Sequence, residues 1–141
     1  MRRVMFAVMS VAVTLMLAPS AAWAGQAHFV PSCSGIDLSR TGNTLAVSGK
    51  EAGLGDEAQV HIVVSATALC INGGGNHPKA VNKESLSSAG DFPVQNGKAN
   101  FSLSLTATFQ PPCDPPMTVE FEDVTVSDTT NGISCTFAGP F

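Results

Sequence analysis

Apolar side chains recur at every second position along much of this chain, and no long stretch repeats them at the 3.6-residue helical spacing. Val60, Ile62, Val64, Ala66, Ala68 and Cys70 share one parity, while His61, Ser65 and Thr67 take the other. This predicts a half-buried strand of about a dozen residues. Phe101, Leu103, Leu105, Ala107 and Phe109 repeat the pattern, with Ser102, Ser104, Thr106 and Thr108 turned to water. Leu45 and Val47 mark a shorter strand. Residues 29–33 open the domain, with Pro31 suited to an edge because it lacks an N–H for the ladder.

The breaks between these runs carry turn chemistry. Asn96-Gly97 lies between Phe92-Pro93-Val94 and the Phe101 strand, and Asn131-Gly132 lies between Val124-Thr125-Val126 and residues 133–137. Asn-Gly accepts the two positive φ angles of a type I′ turn, so both sites predict hairpins. Residues 72–76 and 111–116 are too rich in Gly and Pro to hold a regular ladder and are expected to be loops. One run breaks its own phase: Met117, Val119 and Phe121 alternate inward, whereas Val124 and Val126 continue on the opposite parity. The spacing predicts a β-bulge at Glu122-Asp123 or a crossing between sheets.

About seven strands with turns every eight to twelve residues predict an all-β fold, an antiparallel β-sandwich of immunoglobulin-like architecture. A closed barrel is the alternative.

The N-terminus differs from the rest. Arg2 and Arg3 precede an apolar run over residues 4–17, Pro19 and Ser20 interrupt it, and Ala22-Trp23-Ala24 places small residues where a signal peptidase reads. Residues 1–24 are therefore expected to be a signal peptide, and residues 25–141 a single secreted domain. Removing the leader leaves five basic against eleven acidic residues, a net charge of −6. That balance argues against nucleic acid as a partner, since a binder must neutralise phosphates. It also argues against anionic membrane surfaces once the signal is cleaved.

Four cysteines remain, and an even number in an oxidising compartment predicts two disulfides. Zinc would need close cysteine pairs, whereas these lie far apart along the chain. If three consecutive strands form a meander, the end of the first meets the end of the third. Of the three possible pairings, this favours Cys70–Cys113, and by elimination Cys33–Cys135. Each loop should constrain the unfolded chain by roughly 4 kcal/mol in the chain-entropy model.

Candidate chemistry is sparse. His28, His61 and His77 fall in different elements and read as exposed or loop histidines. No G-x-S-x-G elbow is present, and oxidised cysteines offer no thiolate. Glu120, Glu122 and Asp123 cluster with Asp128 nearby, which suggests a small hydrolase or a weak calcium site; their alternation with Val119 and Phe121 reads instead as a solvated strand face. No cofactor motif and no dedicated metal motif is found, so none is expected. The only Trp is Trp23, inside the leader, and there is no Tyr, so an aromatic sugar platform is disfavoured. Protein interfaces also draw on Arg, of which only Arg40 remains.

The most distinctive segment is Cys70-Ile71-Asn72-Gly73-Gly74-Gly75-Asn76-His77-Pro78. Three successive glycines are entropically expensive to order, which fits either a recognition loop exposing backbone amides or a wide crossover turn. Together with Gly53-Leu54-Gly55 and the Pro-flanked Cys113, this Cys-x-Asn-x-Gly-Gly-Asn-x-Pro segment resembles a group of short uncharacterised exported bacterial β-rich proteins. The resemblance spans most of residues 44–138. It implies a secreted β-rich domain with a Cys70–Cys113 bridge and carries no activity with it.

The functional expectation is a secreted, non-catalytic domain that binds an extracellular ligand or protein through its disulfide-anchored loops, residues 72–78 and 111–116. The alternatives are a secreted inhibitor of extracellular proteases and the small hydrolase named above.

Overall fold

The structure, a computed structural model, describes residues 25–72 and 82–141. Among the described residues eight strands form: β1 (His28–Phe29), β2 (Asp37–Thr41), β3 (Thr44–Ala52), β4 (Gln59–Ile71), β5 (Lys83–Pro93), β6 (Lys98–Thr106), β7 (Thr118–Asp128) and β8 (Ile133–Phe137). The 3-10 turn Cys33–Gly35 links β1 to β2. All the ladders are antiparallel, and they make two sheets. In the first, β3 pairs with β6 along its whole length, while β1 and β2 share its other side in succession. In the second, the order is β5-β4-β7-β8. The fold is an all-β sandwich with two disulfides.

The alternation of the sequence becomes the core. Val60, Ile62, Val64, Ala66, Ala68 and Cys70 are all buried, as are Leu45 and Val47 opposite them. Phe101 fills the middle of the first sheet, edge-on to Phe29 at 6.0 Å and to Phe92 at 6.2 Å between ring centres. Gly49 makes room for it: a Cβ there would lie 2.5 Å from Phe101 Cζ.

Four sequence readings change in detail. The eighth strand is β2, which carries one partly buried apolar residue, Leu38, and so shows almost no alternation. Strand β5 begins at Lys83, well before Phe92, because its inward positions include Ser88 and Gly90. Asn96 and Gly97 do take φ of 52° and 70°, but only Gln95 and Lys98 pair across that turn. The strands it joins then part into different sheets, so it is a sandwich corner and not a hairpin ladder. At Asn131-Gly132 only Gly132 has positive φ. The Asp128 carboxylate accepts from the N–H groups of Thr130 and Asn131, which holds four residues in a wider turn before Gly132 reverses the chain.

The phase break in β7 is a bulge. Ser65 faces Thr125 and Thr67 faces Glu122, so Asp123 and Val124 together oppose Ala66. Asp123 adopts φ 51°, and the buried positions switch from Val119 and Phe121 to Val124, Val126 and Asp128.

Candidate functional site

The sandwich has two ends built from different material. At one end lie the β2–β3 turn, residues 107–117, the end of β4 and the start of β5. The bonds Cys70–Cys113 and Cys33–Cys135 are both formed, and the first of them lies at this end. Cys70 is the penultimate residue of β4 in the second sheet, whereas Cys113 follows β6 in the first. The two cysteines therefore meet across the sandwich; β4, β5 and β6 do not form a meander in one sheet. Cys33–Cys135 closes a second seam, from the turn after β1 to β8.

Side-chain bonds hold this end in shape. Asn43 donates Nδ2 to Ala107 O at 2.9 Å, and Ala107 N donates to Asn43 O at 2.9 Å. Glu84 accepts from Thr108 N at 2.7 Å, which ties the start of β5 to the chain leaving β6. Met117 N donates to Asp114 O, and the Met117 sulfur lies 3.7 Å from that of Cys70. Between these supports runs a groove of about 460 Å³. Arg40, Asn43, Phe109, Pro112, Asp114 and Met117 are among its lining residues, so its walls carry both polar and apolar groups. Arg40 is exposed and donates Nη1 to Gly42 O at 3.2 Å, which leaves most of its guanidinium donors directed elsewhere. Residues 110–112 and 114–116 are exposed, with Cys113 half-buried beneath them.

Asn72 is exposed where β4 ends, at this same end. The remaining residues of the expected loop, Gly73, Gly74, Gly75, Asn76, His77 and Pro78, lie outside the described residues.

The opposite end is closed by short turns. Leu54 N donates to Gly97 O, Val94 N to Ala58 O, and Thr129 N to His61 O. Under these turns two acids point inward from opposite sheets. Glu51 follows Leu45, Val47 and Gly49 on the inner parity of β3, and Asp128 follows Val124 and Val126 on that of β7. Both are fully buried. Asp128 Oδ1 accepts from Thr130 N at 2.8 Å and Asn131 N at 3.2 Å, and its Oδ2 accepts from Asn131 Nδ2 at 2.7 Å. The same Asn131 amide donates to Glu57 Oε2 at 3.1 Å. Neither oxygen of Glu51 meets a donor.

An ionised Glu51 would be a buried charge without compensation. Burial raises its carboxyl to about 7, and the neighbouring charges of Asp128 and Glu57 push in the same direction. A hydrogen bond to Asp128 further favours the protonated form. The proton turns the unpartnered Glu51 into a donor toward Asp128, whose own oxygens already accept from Thr130 and Asn131. With no solvent access, this pair is a structural element and does not reach a substrate.

The acidic cluster read from the sequence does not assemble. Glu120 and Glu122 stand on the outer side of β7, partly exposed, and Asp123 sits exposed in the bulge. Asp128 lies at the far end of the strand on the inner side. Among the described residues, no group of three or more His, Cys, Asp or Glu side chains could hold a metal ion. His28 is exposed, and His61 forms a half-exposed contact of 2.7 Å with Asp91. Glu51 was missed by the sequence reading although a signal existed: continuing the Leu45–Val47 parity reaches it. Among the described residues, no helix is long and apolar enough to cross a membrane. Comparison with protein-family models, curated proteins and solved structures finds no match to this chain.

Proposed function

We propose that this chain is exported by a signal peptide at residues 1–24 and acts outside the cell as a non-catalytic binding domain. In this reading the sandwich is an immunoglobulin-like frame, and the ligand seats in the groove beside Cys70–Cys113. The groove carries the reading: it is open, lined by both polar and apolar groups, and braced by a disulfide and by the Asn43 and Glu84 hydrogen bonds. Arg40 supplies a forked donor suited to a carboxylate on the ligand. Two disulfides support an oxidising compartment. Asn72, the described residue of the expected 72–78 loop, leaves β4 at this end.

The test is capture from the native extracellular medium by the oxidised protein, beside its Arg40→Glu variant. Wild type should retain a partner, and the variant should lose it while melting at the same temperature. Equal retention by both, or none by wild type, overturns the proposal. A second reading, inhibition of extracellular proteases, draws on the exposed Pro-rich segment 110–116 anchored at Cys113. Absence of inhibition across a protease panel at micromolar concentration removes it.

A further inference from the structure

Strand β5 is an edge of the second sheet among the described residues, with β4 on its only paired side. It is eleven residues long. Edge strands of soluble proteins are usually blunted by charge, proline or a bulge, because an open row of N–H and C=O groups templates further pairing. Here the charges and the proline sit only at the ends: Lys83 and Glu84 at one, Asp91 and Pro93 at the other. Ser85-Leu86-Ser87-Ser88-Ala89-Gly90 between them carries no charge and mostly small side chains. Its ladder with β4 runs from Lys83 to Pro93 without a register shift, so no bulge bends the edge away.

We propose that β5 pairs antiparallel with β5 of a second copy of this chain, making one eight-stranded sheet across a two-fold axis. Charge complementarity selects this pairing. For both copies to keep their cores on the same side of a continuous sheet, outward residues must face outward residues across the new ladder. The outward set of β5 is Lys83, Ser85, Ser87, Ala89, Asp91 and Pro93. An axis through Ser87 sets Ser85 against Ala89 and Lys83 against Asp91, and symmetry makes each pair twice. Shifting the axis to Ser88 puts Lys83 against Pro93, and shifting it to Leu86 puts Lys83 against Ala89. Neither alternative pairs the charges. The Ser87 register also sets Glu84 opposite Gly90 and so avoids any facing of like charges. Asp91 is exposed on this surface and already accepts from His61, so a lysine from the second copy would complete a three-member cluster at each side.

Sedimentation equilibrium on the oxidised protein from micromolar to near-millimolar concentration tests the register. Wild type should associate to a dimer. Lys83→Asp and Asp91→Lys, each alone, should weaken association by about tenfold or more, because each places like charges opposite one another twice. The double variant restores opposite charges and should recover most of the loss. Ser87→Lys should abolish association by setting two lysines face to face on the axis, without touching the core. A monomer throughout the range overturns the proposal, as does a dimer indifferent to these four variants. A dimer that both single variants weaken but the double variant fails to restore overturns the assigned register and with it the proposal.

Discussion

The two ends of this sandwich solve the same problem, how to finish a stack of two sheets, in opposite ways. At the disulfide end the chain leaves β6 and wanders through residues 107–117, and covalent and polar ties hold it: Cys70–Cys113, Asn43 to Ala107, Glu84 to Thr108. An open groove results. At the turn end the connections are short, the backbone stitches itself together, and the space beneath is filled by Glu51 and Asp128. The disulfide tolerates an irregular, exposed surface because its stabilisation does not depend on excluding water. The acid pair tolerates no water-exposed irregularity, because its proton is held by burial. The proposed recognition draws on the first end, and the pH response of Glu51 on the second.

The contrast can be broken at several points. The largest effect is expected from replacing both Cys70 and Cys113 by Ala. Their separation of 43 residues corresponds to a loss of about 4 kcal/mol in unfolding free energy, measured by urea denaturation. Ligand capture should fall with it, since the groove loses its brace.

Next comes the pH response of the turn end. The Glu51 carboxyl stands at about 7 when folded against an ordinary value of 4.5. Below 4.5 it is protonated in both states. Between the two values the folded protein holds a proton that the unfolded chain has released, so stability falls as pH rises and is level above 7. The difference amounts to about 3 kcal/mol. Glu51→Gln should remove this slope and leave the variant more stable than wild type at pH 8. Parallel wild-type and variant curves between pH 4.5 and 7 would remove the acid pair from the account.

A smaller change is expected from Asp128→Asn. An NH₂ group then meets the Asn131 amide where an oxygen accepted from it, and stability at low pH should drop by about 1–2 kcal/mol. With the Asp128 charge gone, the pH slope should also end at a lower pH. The smallest effect belongs to Arg40→Ala. Its side chain is exposed and makes one backbone contact, so urea midpoints should move by no more than about 0.5 kcal/mol while capture is lost.

Much of the framework was legible in the chain because strand parity is a local property. The buried faces of β4, β6 and β7 follow from alternation alone, and so does the change of phase in β7, while the register with β4 makes it a bulge and not a crossing between sheets. Glu51 and β5 show the limits. Glu51 sits on the inner parity of β3, yet a carboxylate in that position normally argues against burial, and its tolerance depends on an acid from the other sheet. Strand β5 lacks a hydrophobic rhythm because its inward positions include Ser88 and Gly90, and a Cβ at Gly90 would already meet the Phe92 ring at 3.2 Å and Leu103 at 3.4 Å. The Asn131-Gly132 turn shows a third limit: a side chain upstream, Asp128, overrode the preference of the dipeptide.

The sequence by itself determined that the chain forms strands, which faces of the long strands are apolar, and where one of them changes phase. These are consequences of backbone pleat and side-chain size within a few residues. Only the tertiary structure decided which sheet each strand joins, that Asn96-Gly97 turns a corner, and that two acids from facing sheets share one dry space. Those outcomes depend on groups far apart in the chain, whose energies exist only once the two sheets have closed on each other.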